Sequence, residues 1–354
     1  MLISGLECDK YFIIKLHMEE TYNSFVETND NYHGIYVNIL RDSTIDLISE
    51  YLLNNDKNKN YSFVIFDFNG ITDVQNNIAD KLIALYVRLL DLDIHIVMAN
   101  VSSEIYNEFK LNVGKINKEI NSRGYLYKDC FNNGFNKLLF KKSDSINNEN
   151  ILGTDFNKIY DEYFKTKFLQ ELIEITENNN ENRLSSPVIL DKYINVKKLV
   201  ENPKILLLCI YFFALELINK EIFYKNKDSN KEIILFSHTF NGNFISTILS
   251  RLLCVERFFI DHLGPINKIE RINFSNKIEK GKKYIIVSDV VCLGTEVKIA
   301  KNIIEFCGGN VQANIALVGI ETTVKYETGI KEYFFKKITT ENNPIGYSVR
   351  TLLS

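Results

Sequence analysis

Short apolar runs alternate with helical patterns along this chain, and that alternation restricts the fold more than any other feature. In the first half, apolar runs at residues 63–68 and 95–99 flank a segment at 78–90 whose leucines fall at helical spacing. A strand, a helix and a strand in this order predict a parallel pair with a crossover connection. The first half is therefore expected to be an α/β module.

The second half repeats the alternation with longer elements. Helices are predicted at residues 205–219, 243–253 and 296–306, and strands at residues 232–236, 257–260, 284–288 and 311–319. Helices and strands that alternate in this way predict an α/β domain with a mainly parallel, doubly wound sheet.

Polar stretches at residues 141–150 and 178–182 separate the two patterns, and a helix is predicted between them at 156–175. Stretches of this composition are typical of solvated connections. We therefore expect one domain over residues 1–145, a helical connection with a polar linker over 146–183, and a second domain over 184–354.

Charge and cysteine usage exclude several functional classes. The net charge is −3, so the chain has no strong field to recruit nucleic acid or an anionic membrane. The longest apolar stretch, residues 205–218, is shorter than the roughly 20 residues of a spanning helix, which predicts a buried helix. The six cysteines show no CxxC spacing, so they predict no zinc site and indicate reduced thiols in a cytoplasmic protein.

The most informative segment is residues 284–296, where an apolar strand runs into an acid, a short loop and a helix. Gly294 allows the backbone to approach a ligand, and Thr295 is predicted to be the N-cap of the helix. Free N–H groups and the helix dipole make such a turn an anion site. Asp289 is placed to hold ribose hydroxyls or a Mg²⁺-bound sugar. The alternative is a strand-to-helix turn that binds nothing.

This segment resembles the phosphoribosyl-pyrophosphate motif of type I phosphoribosyltransferases, which reads D-D-V-x-T-A-G-T-A in some orotate phosphoribosyltransferases. Asp289, Gly294 and Thr295 match that motif, whereas Ser288 replaces the first acid and Cys292 replaces a threonine. The resemblance implies a phosphate cradle with Mg²⁺ as cofactor and Asp289 as the ribose or metal contact. The cradle residues it implies are Cys292, Leu293, Gly294 and Thr295.

The resemblance extends over residues 184–354. Asn241, Gly242 and Asn243 resemble the loop that contacts pyrophosphate in that family. The lysine pair of the family's mobile loop is missing, so Arg257 and His262 are the candidates for its remaining cations. Lysines within residues 268–283 are a second candidate set, for which a solvated loop is the alternative. His238 is either a phosphate contact or a loop histidine bonded to backbone.

Residues 64–82 resemble the STAS domain of anti-sigma-factor antagonists, because Asp67, Gly70 and Leu82 fall at matching positions. Gln75 and Asn76 occupy the two positions where that family carries an Asp-Ser pair, whose serine is phosphorylated. A kinase-reversible switch is therefore not expected. The resemblance implies a small module that contacts a partner protein, and a purely structural accessory domain is the alternative.

Three functional hypotheses follow from these patterns. The first is an enzyme that transfers phosphoribosyl from phosphoribosyl pyrophosphate to a nucleobase. The second is a non-catalytic sensor, in which the same cradle binds a ribose phosphate or nucleotide and the STAS-like domain relays its occupancy to a partner. The third is a structural interaction protein with no ligand at Gly294 and Thr295.

Overall fold

The computed structural model describes most of the chain, with gaps. The described residues are 5–8, 10–19, 39–54, 61–71, 73–107, 109, 125–132, 135–142, 154–178, 188–201, 203–224, 230–260, 277–322, 327–339 and 341–351. Several predicted features lie wholly or partly outside them, namely His262, most of the lysine-containing stretch 268–283, and parts of the two polar stretches at 141–150 and 178–182.

The chain forms two compact units, Met1–Thr166 and Lys167–Ser354. The division falls inside the segment predicted to connect the two domains, within the helix that this segment contains. The limits 1–145, 146–183 and 184–354 stay predictions.

The N-terminal unit combines strands with two helices and the first part of a third. The strands are β1 Gly5–Cys8, β2 Tyr11–Lys15, β3 Ile39–Leu40, β4 Phe63–Asp67, β5 Asp73–Val74, β6 His95–Val101, β7 Tyr125–Asn132 and β8 Phe135–Lys142. The helices are α1 Asp42–Asn54, α2 Ile78–Asp91 and α3 Phe156–Glu174. The helices predicted at residues 78–90 and 156–175 are confirmed.

The described strands of this unit form a main sheet in the order β1-β2-β4-β6-β8-β7. β2, β4 and β6 run parallel, with Phe63 opposite His95, so the predicted parallel pair with a crossover through α2 is confirmed. The leucines of α2 are buried against this sheet, as their helical spacing predicts. His95 is the first residue of β6, which confirms the strand predicted at residues 95–99.

The C-terminal unit holds the remaining elements. The strands are β9 Thr176–Asn178, β10 Val188–Leu190, β11 Lys192–Ile194, β12 Ile233–Ser237, β13 Glu256–Phe259, β14 Lys283–Val291, β15 Asn310–Ile320, β16 Lys331–Ile338 and β17 Val349–Thr351. The helices are α4 Val196–Glu201, α5 Pro203–Asn219, α6 Phe240–Leu253 and α7 Thr295–Phe306. None of the helices in the described ranges has the length and apolar content needed to cross a membrane.

Five described strands of this unit form a parallel sheet in the order β13-β12-β14-β15-β16. Helices cover both faces. Val297 and Ala300 of α7 join a core with Ile286 on one face. On the other face, Ser246 of α6 lies 3.1 Å from Ser237, oxygen to oxygen. The predicted mainly parallel α/β sheet is confirmed.

A buried ion pair lies at the carboxyl ends of the central strands in the N-terminal unit. Lys15 Nζ is 2.6 Å from Asp67 Oδ2, and the Asp67 side chain is fully buried. Asn100 Nδ2 donates to Asp67 Oδ1 at 2.8 Å, and the backbone N–H of Asn69 donates to the same oxygen at 2.9 Å. Burial raises the pKa of the nearby Asp161 carboxyl, and the Lys15 ammonium partly offsets that rise.

Removing the Lys15 charge should destabilise the N-terminal unit far more than removing a surface lysine. Lys15→Met leaves the Asp67 carboxylate buried without its cation, and breaking a buried pair in this way costs about 3–5 kcal/mol. Lys81 pairs with Asp46 at 2.7 Å on the surface, so Lys81→Met is the matched control and should cost less than about 1 kcal/mol. Urea denaturation followed by circular dichroism measures both, and equal losses would contradict the assignment.

Candidate functional site

The order of the strands opens a crevice at one edge of the parallel sheet. From β12 the chain passes through α6 to β13 on one side, and β14 then forms on the other side of β12. Connections that leave neighbouring strands in opposite directions open a crevice at the carboxyl ends of those strands. Residues 238–243 follow β12, and residues 289–296 include the end of β14. Two groups of sequence-predicted site residues therefore border the same crevice.

A hydrogen bond joins the two sides of this crevice. Asn241 Nδ2, in the first turn of α6, donates to Asp289 Oδ2 on β14 at 2.8 Å. Asp289 is half-buried, so the rest of its carboxylate can still accept hydrogen bonds from outside. The structure thus brings together two residues that lie far apart in the sequence and that were both predicted as site residues.

The strand that carries Asp289 is longer than predicted. The sequence predicts its end at residue 288, whereas β14 continues to Val291. It does so because the ladder to β15 continues, with Val290 opposite Val318 and Val291 opposite Gly319. Asp289 therefore lies within the strand, and its side chain leaves the sheet on the opposite face from that of Ser288.

Ser288, which replaces the first acid of the motif, has its side chain in the interior of the domain. Its side chain is buried, and its Oγ donates to Asn314 Oδ1 on β15 at 3.1 Å. Asn314 is fully buried, and its Nδ2 has no hydrogen-bond partner among the described residues. Of the motif's two acid positions, 288 and 289, only Asp289 therefore presents a carboxylate at the crevice.

The N-cap predicted at Thr295 is wrong, because the cap position belongs to Gly294. Gly294 has φ 79°, a left-handed conformation that favours glycine, and α7 begins at the exposed Thr295. Among the described residues no side chain caps α7. The helical ladder starts with Lys298 N donating to Gly294 O at 2.9 Å, so the N–H groups of residues 295–297 precede it. Unbonded N–H groups at a helix start favour an anion.

Cys292 and Leu293 form the short connection between the end of β14 and Gly294. Both side chains are half-buried, and Gly294 is buried. The loop is therefore packed closely against the domain. The predicted phosphate cradle is therefore a compact turn, formed by these two residues and the first turn of α7. Its hydrogen-bond donors are backbone N–H groups.

The predicted pyrophosphate loop is a helix start instead of a loop. α6 begins at Phe240, so Asn241, Gly242 and Asn243 lie in its first turn, and Thr239 is its N-cap. The Thr239 hydroxyl accepts from Gly242 N at 3.0 Å. A Cβ on Gly242 would lie 2.8 Å from the Val287 carbonyl oxygen, so glycine here serves the close approach of α6 to β14.

Arg257, one of the two predicted cations, bonds to another predicted site residue. Arg257 lies on β13, and its Nη1 donates to Asn243 Oδ1 at 2.9 Å, so these two predicted residues bind each other. His262 lies outside the described residues, and its role stays a prediction.

His238 and Glu296 form a second polar pair at the crevice, which the sequence analysis did not predict. The His238 side chain is buried just after β12, and its Nε2 is 3.3 Å from Glu296 Oε2 in the first turn of α7. His238 Nδ1 is buried with no hydrogen-bond partner among the described residues. The prediction of a loop histidine bonded to backbone does not describe these contacts. An acid in the first turn of a helix was the available signal, but its partner is 58 residues away in the chain.

The described residues contain no group of three or more His, Cys, Asp or Glu side chains placed to hold a metal ion. Asp289, the predicted metal contact, offers one carboxylate at the crevice. Mg²⁺ is commonly held by one or two carboxylates together with substrate phosphates, so this donor fits Mg²⁺ only if a ligand supplies further oxygens.

Several solved phosphoribosyltransferases match this chain weakly. Adenine phosphoribosyltransferase from Thermoanaerobacter pseudethanolicus matches at 14% identity over 48% of this chain and 99% of its own, with a TM-score of 0.36. Orotate phosphoribosyltransferase from Aeropyrum pernix matches at 14% identity over 49% and 93%, also at 0.36. Adenine phosphoribosyltransferase from Trypanosoma brucei, in complex with AMP, pyrophosphate and ribose-5-phosphate, matches at 14% over 50% and 83%, at 0.34.

These scores are too low to support any conclusion about ligand or activity. No family model and no curated protein matches the chain. Nothing in the comparisons supports the STAS-like interpretation of the N-terminal unit, which stays a prediction.

The two helix starts at the crevice should respond differently to loss of a threonine. Thr239→Ala removes the side-chain cap of α6 and should lower the free energy of unfolding by about 1 kcal/mol. Thr295→Ala removes an exposed hydroxyl from a position that does not cap α7, so its effect should stay within about 0.5 kcal/mol. Thermal or urea denaturation of the two variants measures the difference. A larger loss for Thr295→Ala would restore Thr295 as the cap.

Proposed function

We propose that the C-terminal unit binds a phosphorylated ribose, either phosphoribosyl pyrophosphate or a nucleotide, in the crevice between β12 and β14. The hydrogen bond between Asn241 and Asp289 carries this proposal, because it orients a half-buried carboxylate at the point where the strand order reverses, and residues 290–294 lead from that carboxylate to the uncapped start of α7. A sugar phosphate needs both an anion site and an acceptor for hydroxyl groups.

The phosphate would occupy the start of α7. The backbone N–H groups of residues 295–297 precede the helical ladder, and the helix dipole adds a partial positive charge at the same end. Gly294 keeps a side chain out of the approach to these groups. Cys292 and Leu293 would contribute the adjoining backbone of the cradle.

The ribose hydroxyl groups would donate to Asp289. Asn241 already donates to one of its oxygens, which orients the carboxylate and leaves the second oxygen for a ligand. Mg²⁺, if bound, would be held by Asp289 together with oxygens of the ligand, and it would neutralise charge on pyrophosphate. The ligand and Mg²⁺ would come from solution, whereas the hydrogen bond from Asn241 that orients the carboxylate is already present in the protein.

The non-catalytic version of this function has one specific observation in its favour. Arg257 is engaged by Asn243 on α6, and Ser288 faces the interior. Phosphoribosyl transfer needs positive charge on pyrophosphate as the bond to ribose breaks. In the sensor version, the N-terminal unit would report occupancy to a partner protein. Release of pyrophosphate in the presence of nucleobases would favour the enzyme version instead.

Asp289→Asn should weaken the binding of phosphoribosyl pyrophosphate without unfolding the protein. A hydrogen bond to a charged group is worth about 1.5–3 kcal/mol, so the dissociation constant should rise roughly 10- to 100-fold. Calorimetric titration of the full chain, with and without Mg²⁺, measures this change. Glu305→Gln removes a charge from the last turn of the same α7 and should bind as wild type does. An unchanged affinity for Asp289→Asn would remove Asp289 from the site.

Gly294→Asn tests the cradle without imposing an impossible backbone angle. Asparagine tolerates the left-handed conformation of Gly294 better than other residues with a Cβ, whereas valine does not. Its side chain would compete with a phosphate for the N–H groups of α7. We expect an intact circular dichroism spectrum and a loss of about ten-fold or more in affinity for phosphoribosyl pyrophosphate. Wild-type affinity in a folded Gly294→Asn protein would rule out the cradle in both versions.

A further inference from the structure

A second cavity lies at the opposite edge of the same parallel sheet. Its volume is about 370 Å³, within the range of small-molecule sites. It is lined by the first residues of several strands and by the segment that follows α5. Lys283 begins β14 and Asp289 lies near its other end, so this cavity and the crevice occupy different edges.

Two lysines line this cavity from neighbouring positions of the sheet. Lys283 is the first residue of β14, and Lys331 is the first residue of β16. β15 separates the two strands, and Lys331 is level with Ile285 through Ala313, so the two lysines are about 10 Å apart across the sheet and two residues apart along it. Within the described ranges neither ammonium has an ion-pair or hydrogen-bond partner. Two lysines at this separation favour an anionic group between them.

Apolar and aromatic side chains complete the floor and walls. Ile285, two residues after Lys283, lies on the same face of the sheet, and Tyr333 has the same relation to Lys331. Tyr224 also lines the cavity, and the residue is 49% exposed. Its main chain is fixed by the fully buried Asn230, which accepts from Tyr224 N and donates to Tyr224 O, both at 2.9 Å. Tyrosine rings present flat surfaces on which another ring can pack.

Glu221, an exposed residue that lines the cavity, has an unusual backbone conformation. Glu221 has φ 58°, in the left-handed region where glycine is the usual residue after a helix. Its backbone N–H donates to Ile218 O at 3.0 Å, which completes the end of α5. Glutamate at this position places an acceptor at the cavity wall, where it can receive a hydrogen bond from a ligand N–H group.

We propose that this cavity binds a small planar heteroaromatic anion. Its anionic group would lie between Lys283 and Lys331, its ring would pack against Tyr333 or Tyr224, and a ring N–H would donate to Glu221. The site is separate from the crevice at β12 and β14 and does not depend on the function proposed there.

Pyridoxal 5′-phosphate is a suitable probe, because it carries a phosphate, an aromatic ring with a protonated nitrogen and an aldehyde. The aldehyde condenses with a neutral lysine amine, releasing water, and borohydride then donates a hydride to the imine to give a stable secondary amine. Peptide mass spectrometry of the full-length protein identifies the labelled lysine. Pyridoxal, which lacks the phosphate, is the matched control compound.

We expect saturable labelling of Lys283 or Lys331 at a rate about ten-fold or more above that of Lys197, an exposed lysine of α4, because a cationic cleft concentrates anions. Pyridoxal should lose this preference. Tyr333→Leu should slow the labelling about three-fold or more by removing a ring contact, and circular dichroism should show the fold unchanged. Asp289→Asn should leave the labelling as in wild type, which separates this test from that of the crevice.

Two results would overturn the proposal. One is labelling spread evenly over Lys283, Lys331 and Lys197. The other is equal labelling by pyridoxal and its phosphate, because the anion would then contribute nothing.

Discussion

The hydrogen bond from Asn241 to Asp289 is the contact on which the proposed site depends. It connects the first turn of α6 to β14, the two elements that diverge where the strand order of the sheet reverses. It orients the Asp289 carboxylate relative to the first turn of α6, which Gly242 allows to lie close to β14. His238 and Glu296 make a second link from β12 to α7, so both sides of the crevice are tied by polar contacts.

Local pattern sufficed to predict the elements of the sheet, whereas their ends depended on tertiary contacts. The apolar runs predicted β12, β14 and β15, because buried parallel strands are apolar on both faces. The extra residues of β14 follow from its ladder with β15, which the sequence of β14 does not contain. α6 starts three residues before its predicted start because Thr239 caps it and Gly242 packs against Val287.

Among the predicted site residues, too, the sequence was sufficient to identify some, whereas the contacts of others depend on the tertiary structure. Asp289 was identified as an acid at the end of an apolar strand, and Asn241 through the resemblance to a pyrophosphate loop. The two side chains meet in the structure. Thr295 was chosen as a cap from residue type alone, and the left-handed Gly294 took that position instead. Pairs such as Ser288 with Asn314, or Arg257 with Asn243, join separate strands or helices, so no local spacing could have predicted them.

An NMR titration of the full chain with ribose 5-phosphate tests the central claim most directly, because backbone amides report contact residue by residue. If a sugar phosphate binds the crevice, the amide signals of residues 292–297 and of Asn241 should shift first and saturate together. Saturable shifts centred on Lys283 and Lys331 alone, or no shifts near Gly294 at millimolar ligand, would contradict the assignment of the crevice as the ribose-phosphate site.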